Sequence, residues 1–164
     1  VLYQGTLKGE KWEWVLQKGT EIGVSDFVAT VCARSVLQRG PGQAKLERWR
    51  RIITEAAEQC GRSRLPELQG PVPLRQALQQ ADGMKLMPWE GEHALGLRQT
   101  LARQPGVRCF SLFIGPEGGF EEAEVAEARR HGAIIVTLGR RTLRAETAAL
   151  VAASLVLYHA AELG

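Results

Sequence analysis

The sequence predicts one α/β domain in which helices cover both faces of a parallel β-sheet. Three observations predict this fold class. The chain has 164 residues, which suits one compact domain with a sizeable core. Strand-like and helix-like segments alternate along it. The late strand-like segments VRCFSLFIG and AIIVTLG are apolar throughout, as parallel strands buried on both faces usually are.

Residues 1–60 predict two strands and two helices. The clearest helix spans 44–60, because apolar residues recur there every three or four positions, at Leu46, Trp49, Ile53, Ala56 and Cys60. A helix at 9–23 places its apolar residues on one side, at Trp12, Val15, Leu16 and Ile22. The other segments are strands at 1–7 and 26–33, and a loop at 34–43 marked by Gly40, Pro41 and Gly42.

The rest of the chain continues the alternation. After Gly61 it is irregular, with a brief strand at 67–69. The segments that follow are a helix at 74–81, a strand at 84–89 that stops at Pro88, a helix at 94–104, a strand at 107–115, a helix at 121–132, a strand at 133–139 and a helix at 145–163. The last helix is apolar on nearly every side, which predicts burial within the protein or in a subunit contact.

The composition of the sequence bears on metal binding, membrane insertion and nucleic-acid binding. Cys32, Cys60 and Cys109 are far apart and the three histidines are scattered, so we expect reduced thiols in the cytoplasm and no metal site. No apolar run approaches the ~20 residues of a membrane helix. The net charge of +3 and the excess of arginine over lysine suit nucleic-acid binding, and equally an arginine-rich proteome. Because the sequence starts without Met, we expect a domain of a longer protein.

Three strand ends are the candidate ligand site. Ligands of parallel sheets bind beyond the carboxyl ends of the strands. The candidate segments are 88–91, 115–120 and 139–145, and we expect them to lie side by side.

The turn GPEGGF at 115–120 has almost no side chains, so a ligand can approach its main chain closely. The acidic residues that follow would repel phosphate: Glu121, Glu122 and Glu124. The P-loop pattern GxxxxGK[ST] and the dinucleotide pattern GxGxxG are both missing. The turn therefore predicts a ligand of neutral or positive charge. The alternative is a tight strand-to-helix turn that binds no ligand.

The segment LGRRTLRAETAAL joins a basic loop to the apolar last helix. Arg140, Arg141 and Arg144 precede Glu146 and Thr147. A basic loop that leads into a buried helix is an unusual pairing and marks a candidate functional segment. The alternative is a solvated turn in which Glu146 serves as a helix-start carboxylate.

Four segments resemble the RsmE-type 16S rRNA uridine N3-methyltransferases of the SPOUT, or trefoil-knot, superfamily. They are QKGTEIGV at 17–24, EAAEQCGRSRLPEL at 55–68, GPEGGF at 115–120 and LGRRTLRAETAAL at 138–150. The sequence departs from the usual pattern at Gly19 and Thr142. The resemblance implies a C-terminal deep trefoil knot, a homodimer, S-adenosyl-L-methionine as cofactor and 16S rRNA of the 30S subunit as substrate. It also implies an N-terminal RNA-binding barrel in the complete enzyme, with residues 1–164 as the methyltransferase domain alone.

The resemblance assigns the strand-end loops to the cofactor. The expected cofactor-binding residues are Pro88, Gly115, Pro116, Glu117, Gly118, Gly119, Leu138, Gly139, Leu143, Arg144 and Thr147. Trp89 either lines another wall or packs at the sheet edge.

The same resemblance suggests catalytic and RNA-binding residues. Uridine N3 reacts only after it loses its proton, so Arg144 is expected to stabilise the developing negative charge or to bind RNA phosphate. Glu146 or Glu117 would accept the proton or hold the loop. The expected RNA contacts, each of which could instead be a surface side chain, are Lys18, Arg34, Gln59, Arg62, Arg64 and Arg141.

Three other functions stay open. A knotted methyltransferase could act on another base or on a ribose 2′-hydroxyl, although the ribose methylases of this superfamily have a final motif different from LRAETA. A non-catalytic RNA-binding module would keep the fold without the cofactor. A nucleotide-binding oxidoreductase would need the GxGxxG fingerprint, which is missing.

Overall fold

The computed structural model describes residues 1–36 and 42–163. Part of the loop predicted at 34–43, with Gly40 and Pro41, lies outside the described residues. The described strands are β1 Leu2–Gly5, β2 Asp26–Val31, β3 Glu67–Pro73, β4 Met84–Pro88, β5 Phe110–Ile114 and β6 Ile134–Val136. The helices are α1 Lys11–Ile22, α2 Gln43–Gln59, α3 Leu74–Gln80, α4 Leu97–Ala102, α5 Glu122–Arg130 and α6 Ala145–His159.

The six strands form one parallel sheet in the order β3-β2-β1-β5-β4-β6. Strand β5 lies between β1 and β4, so the turn that follows it emerges from the middle of the sheet. The ends of β5, β4 and β6 are consecutive neighbours. The predicted α/β class is confirmed, whereas the knot in the backbone stays a prediction.

Both faces of the sheet are covered, as predicted. Alternate residues of a strand point to opposite faces. Leu112 belongs to the core cluster that packs α1, α2, α4 and α6 against the sheet. Its neighbour Phe113 belongs to the second cluster, which includes buried residues of α3 and α5. Trp12 and Trp49 join α1 to α2 in the first cluster, with their rings edge to face at 5.7 Å.

The structure differs from the prediction at strand β3 and at Cys60. Strand β3 extends from Glu67 to Pro73, beyond the brief strand predicted at 67–69. Its polar, Gly- and Pro-containing sequence has little strand propensity, and pairing with β2 creates the strand. Cys60, predicted on the apolar stripe of α2, is exposed, because it lies at the end of the helix beyond the packed turns.

Helix α6 divides into a buried side and an exposed apolar side. Ala149, Ala152, Ala153 and Val156 are buried. Val151 is 38% exposed, Leu155 46% and Tyr158 71%. The prediction that the whole helix is covered therefore holds for one side within this chain. No helix in the described part of the chain combines the length and apolar character needed to cross a membrane.

Candidate active site

The ends of β4, β5 and β6 surround a cavity of about 380 Å³. This size is within the usual range of small-molecule sites, roughly 300–1,000 Å³. Residues of all three predicted segments line the cavity, which confirms that they lie side by side. The lining residues are Lys11, Pro88, Trp89, Glu90, His93, Ile114, Gly115, Pro116, Glu117, Gly118, Gly119, Phe120, Thr137, Leu138, Gly139, Arg140, Arg141, Thr142, Leu143, Arg144, Ala145, Glu146 and Ala148.

The turn after β5 requires glycine at position 119. Gly119 has φ +70°, a left-handed conformation that costs a residue with a side chain about 1–2 kcal/mol. A Cβ atom there would also collide with the carboxylate of Glu90, which lies on the turn after β4. Gly119 thus lets two of the three turns touch.

A side chain of β1 also fixes the turn after β5 by hydrogen bonds. Gln4 is fully buried, and its Nε2 donates hydrogen bonds to the main-chain oxygens of Gly115 and Gly5, both at 3.0 Å. A Cβ atom on Gly5 would come within 2.7 Å of Pro116 Cδ, so the two main chains meet directly. The position of the turn is therefore fixed by a strand more than a hundred residues away in the chain.

Glu117 ties the turn to the start of α1. Its Oε1 accepts a hydrogen bond from the Lys8 main-chain N–H at 3.0 Å and another from Lys11 Nζ at 3.3 Å. Partial burial alone would raise the pKa of Glu117. The main-chain N–H groups of Lys8 and Glu117 and the Lys11 ammonium outweigh that effect and lower the pKa below its usual value. Glu117 is therefore held as a carboxylate.

The turn after β6 brings the basic loop to the cavity. Gly139 N donates to Thr137 Oγ1 at 3.2 Å, and the main-chain oxygen of Arg144 accepts from Ala148 N at 2.8 Å as α6 begins. The side chains of Arg140, Arg141 and Arg144 are exposed and make no ion pair or hydrogen bond with any residue in ranges 1–36 and 42–163.

The turn after β4 completes the wall. Trp89 N donates to Val136 O at 3.0 Å, which fixes this turn beside β6. Trp89 lines the cavity and also packs against the core cluster on the α3 and α5 face, after a strand that lies inside the sheet rather than at its edge. Glu90 is exposed, and its carboxylate has no partner among the described residues.

Opposite charges stand unpaired in this one cavity. Glu146 Oε2 is buried without a hydrogen-bond partner in the described chain. Neither Glu90 nor Glu146 pairs with Arg140, Arg141 or Arg144, although all five line the cavity. These carboxylates and guanidinium groups are therefore available to bind positively and negatively charged parts of a ligand. By contrast, Glu117 is neutralised by Lys11.

The predicted cofactor-binding residues line the cavity with one exception. Thr147 is not among the lining residues, and its contact with the cofactor stays a prediction. It stands on α6 between Glu146 and Ala148, which do line the cavity.

The predicted RNA-binding residues divide into four groups, of which Arg62 forms the last. Arg141 lines the cavity. Arg34 lies next to the cavity, where its Nη1 donates a hydrogen bond to the main-chain oxygen of Gly118 at 2.9 Å. Lys18 pairs with Glu21 at 2.8 Å, and Arg64 lies 3.6 Å from Asp26. Gln59 lines a separate groove between α1 and α2.

Arg62 has a different environment from the other predicted RNA contacts. It is partly buried, and its Nη1 donates to the main-chain oxygens of Thr20 at 3.0 Å and Val24 at 2.7 Å. These bonds satisfy carbonyl groups at the end of α1. The side chain is therefore directed into the protein.

Sequence reasoning did not single out Gln4, Lys11, Glu90 or His93. Gln4 and Lys11 reach the site through contacts between distant segments, which no local pattern reveals. Glu90 lies within the predicted segment 88–91, although no role was assigned to it, and His93 stands two residues beyond that segment. Among the described residues, no group of three His, Cys, Asp or Glu side chains is arranged to hold a metal ion.

Comparisons with known proteins bear on the family and the fold of the chain. The family model of the RNA methyltransferase domain matches residues 1–157. The ribosomal RNA small subunit methyltransferase E of Bacillus subtilis is 35% identical over 162 residues, which are 94% of this chain and 63% of the relative. The chain thus spans somewhat less than two thirds of that protein.

Two solved structures share the fold closely. A methyltransferase from Legionella pneumophila in complex with the bound cofactor SAM has a TM-score of 0.85 at 35% identity, covering 96% of this chain and 64% of that one. A ribosomal RNA small subunit methyltransferase E from Neisseria gonorrhoeae bound to S-adenosyl methionine has a TM-score of 0.85 at 29% identity, over 96% of this chain and 64% of that one. Together with the family match, these likenesses confirm the resemblance found in the motifs: the chain belongs to the RNA methyltransferase domain family.

Proposed function

We propose that residues 1–164 are the methyltransferase domain of an enzyme that methylates N3 of a uridine in 16S rRNA with S-adenosyl-L-methionine. The observation that carries the proposal is the cavity between three turns, in which carboxylates and arginines stand unpaired. A cationic cofactor and an anionic RNA would use these two sets of charges. The relatives named above support the choice of reaction.

The cavity residues fit the cofactor. Ile114, Leu138 and Ala148 offer apolar surface to an adenine ring, and the glycine turn offers main-chain groups at close range. The acidic start of α5, with its capping box of Glu121 and Glu124, disfavours a polyphosphate there. When bound, S-adenosylmethionine supplies an electrophilic methyl group on a sulfonium.

The residues of the last turn would handle the acceptor base. Arg144 would stabilise the negative charge that develops on uridine as N3 loses its proton. Glu146 would accept that proton, because its unpartnered oxygen lies in the cavity wall. N3 then attacks the methyl carbon while the sulfur–carbon bond breaks, and a neutral thioether leaves. Glu117 is the poorer proton acceptor, since its lowered pKa and its bond to Lys11 favour the ionised form.

Exposed arginines would bind the RNA backbone. Arg140, Arg141 and Arg144 line the mouth of the cavity without internal partners, and Arg34 lies beside the glycine turn. Such contacts position the substrate without reading its sequence. A 30S ribosomal substrate implies a cytoplasmic enzyme.

The exposed apolar side of α6 would form a homodimer interface. Leu155, Val151 and Tyr158 are exposed there, and Trp14 is 45% exposed on α1, which packs against α6. Light scattering tests this proposal. We expect a dimer that Leu155→Glu converts to monomers, whereas Leu65→Glu, at an exposed position outside these helices, leaves it intact. A monomeric unmodified chain would contradict it.

The reaction is tested by incubating the chain with 30S subunits and S-adenosylmethionine labelled in its methyl group. Digestion and mass spectrometry of the RNA should place the label in N3-methyluridine. Label on a ribose 2′-oxygen or on another base would indicate the alternative methyltransferase. Failure of the chain to bind S-adenosylmethionine in calorimetry would instead favour a non-catalytic RNA-binding module.

A further inference from the structure

We propose that Glu90 binds the vicinal 2′- and 3′-hydroxyls of the cofactor's ribose and so selects a ribonucleoside in the cavity. This inference rests on the proposed function. It concerns a residue that neither the motifs nor the reaction accounts for.

The position of Glu90 is fixed by its neighbours in the sheet. Strand β4 ends at Pro88 between β5 and β6, and Glu90 follows two residues later. The hydrogen bond from Trp89 N to Val136 O holds the intervening residue. Glu90 therefore lies where all three turns meet the cavity.

The Glu90 carboxylate lies against the main chain of the glycine turn. Its carboxyl carbon is 3.0 Å from the place that a Cβ atom of Gly119 would take. The missing side chain at Gly119 thus gives the carboxylate its room. A ligand that contacts the main chain of this turn would meet the carboxylate at the same time.

The other carboxylates of the region already have partners or another position. Glu117 is engaged by Lys8 and Lys11. In the same loop as Glu90, Glu92 Oε1 accepts from Ala94 N at 2.8 Å and Leu95 N at 3.1 Å, so it holds the loop. Glu90 makes no such bond within the described chain, although it stands two residues away.

The chemistry of a free carboxylate at a strand end matches a ribose diol. Its two oxygens can accept one hydrogen bond from each hydroxyl, as acidic residues do in dinucleotide-binding folds. Arg144 and Glu146, which would handle the base and the reacting methyl group, stand on a different turn. Glu90 is therefore available to bind a part of the cofactor that does not react.

Calorimetry on the whole chain tests the inference with two matched variants. Glu90→Gln keeps the shape of the side chain and removes one acceptor oxygen and the charge. Glu122→Gln makes the same chemical change at an exposed residue outside the cavity lining. The probes are S-adenosylmethionine, S-adenosylhomocysteine, 5′-methylthioadenosine and 2′-deoxy-5′-methylthioadenosine. The third probe lacks the amino-acid moiety and the fourth lacks one hydroxyl as well.

We expect Glu90→Gln to weaken the binding of the first three probes by a similar factor, about tenfold in the dissociation constant, because hydrogen bonds to a charged group are lost. The unmodified chain should also bind the deoxy probe less tightly than 5′-methylthioadenosine, and Glu90→Gln should reduce that difference. Glu122→Gln should leave the affinities for all four probes unchanged. The midpoint of urea denaturation of each variant should match that of the unmodified chain.

Two results would overturn the assignment of the diol. One is unchanged affinity of Glu90→Gln for all probes. The other is weaker binding only of the two probes that carry an α-amino group, which would assign Glu90 to the ammonium of the amino-acid moiety. If the unmodified chain bound no S-adenosylmethionine, the proposed function itself would fail, which is a distinguishable outcome.

Discussion

The side-chain amide of Gln4, in the buried strand β1, donates a hydrogen bond to the main-chain oxygen of Gly115 at 3.0 Å. The same Nε2 also reaches Gly5 O at 3.0 Å. Gln4 thus joins the two strands whose ends carry the glycine turn and the approach to α1. A polar side chain in the middle of a sheet is explained by this contact.

Replacement of Gln4 by leucine should destabilise the protein. The change leaves the buried oxygen of Gly5 and the partly buried oxygen of Gly115 without this donor, but it also removes Gln4 Oε1, which has no partner in the described chain. Because each unsatisfied group costs about 1–3 kcal/mol, we expect a net loss of about 1–3 kcal/mol in the free energy of unfolding. Urea denaturation measures it, with the exposed Gln76→Leu as control. Equal stability of both variants would refute the anchoring role.

Glu117 should stabilise the fold in a pH-dependent way. Its pKa is lower in the folded protein than its ordinary value of 4.5, so its contribution is present above that value and is lost as pH falls through the folded pKa. The difference in unfolding free energy between the unmodified chain and Glu117→Gln should therefore be largest near neutral pH. It should shrink progressively below about pH 5. A difference that stays constant from pH 7 to pH 3 would show that the charge contributes nothing.

Arg144→Ala should abolish methyl transfer while the cofactor still binds. Removing one donor that stabilises developing charge usually lowers kcat by about 10²–10³-fold. Calorimetry with S-adenosylmethionine and a single-turnover assay on 30S subunits separate the two effects. Arg98→Ala, an exposed residue of α4, serves as control. Near-normal turnover of Arg144→Ala would mean that another group stabilises the charge.

Arg62 should act through stability rather than through RNA contact. Its guanidinium bonds two carbonyl oxygens at the end of α1, so Arg62→Ala should cost about 1.5–3 kcal/mol of unfolding free energy. The exposed Arg50→Ala should cost little. The salt dependence of RNA binding gives an independent test, because loss of one phosphate contact lowers the slope by about 1. A slope changed in that way would restore Arg62 to the RNA-binding set.

Elements with a strong local pattern were predictable from the sequence. The apolar run of β5 and the stripe of Trp49, Ile53 and Ala56 on α2 both proved buried. Strand β3 was underpredicted because its pairing with β2, rather than its own residues, makes it a strand. Helix α4 was overpredicted at both ends, since Leu97–Ala102 is shorter than the apolar pattern at 94–104.

The site was predictable only where its residues lie at strand ends. The glycine turn and the arginine loop follow apolar strands, so the rule for parallel sheets locates them. Lys11 and Gln4 act on the glycine turn from the other end of the chain, and only the folded structure brings them there. Thr147 was predicted from its place in a motif, and it lies outside the cavity lining.

A crystal structure of the chain grown with S-adenosylmethionine tests the central claim most directly. The account predicts density for the compound between the turns after β4, β5 and β6, with the main chain of Gly115–Gly119 and of 138–143 in contact with it. Calorimetry under the same conditions establishes that the compound binds. Density elsewhere on the protein, with these three turns empty or far apart, would contradict the account.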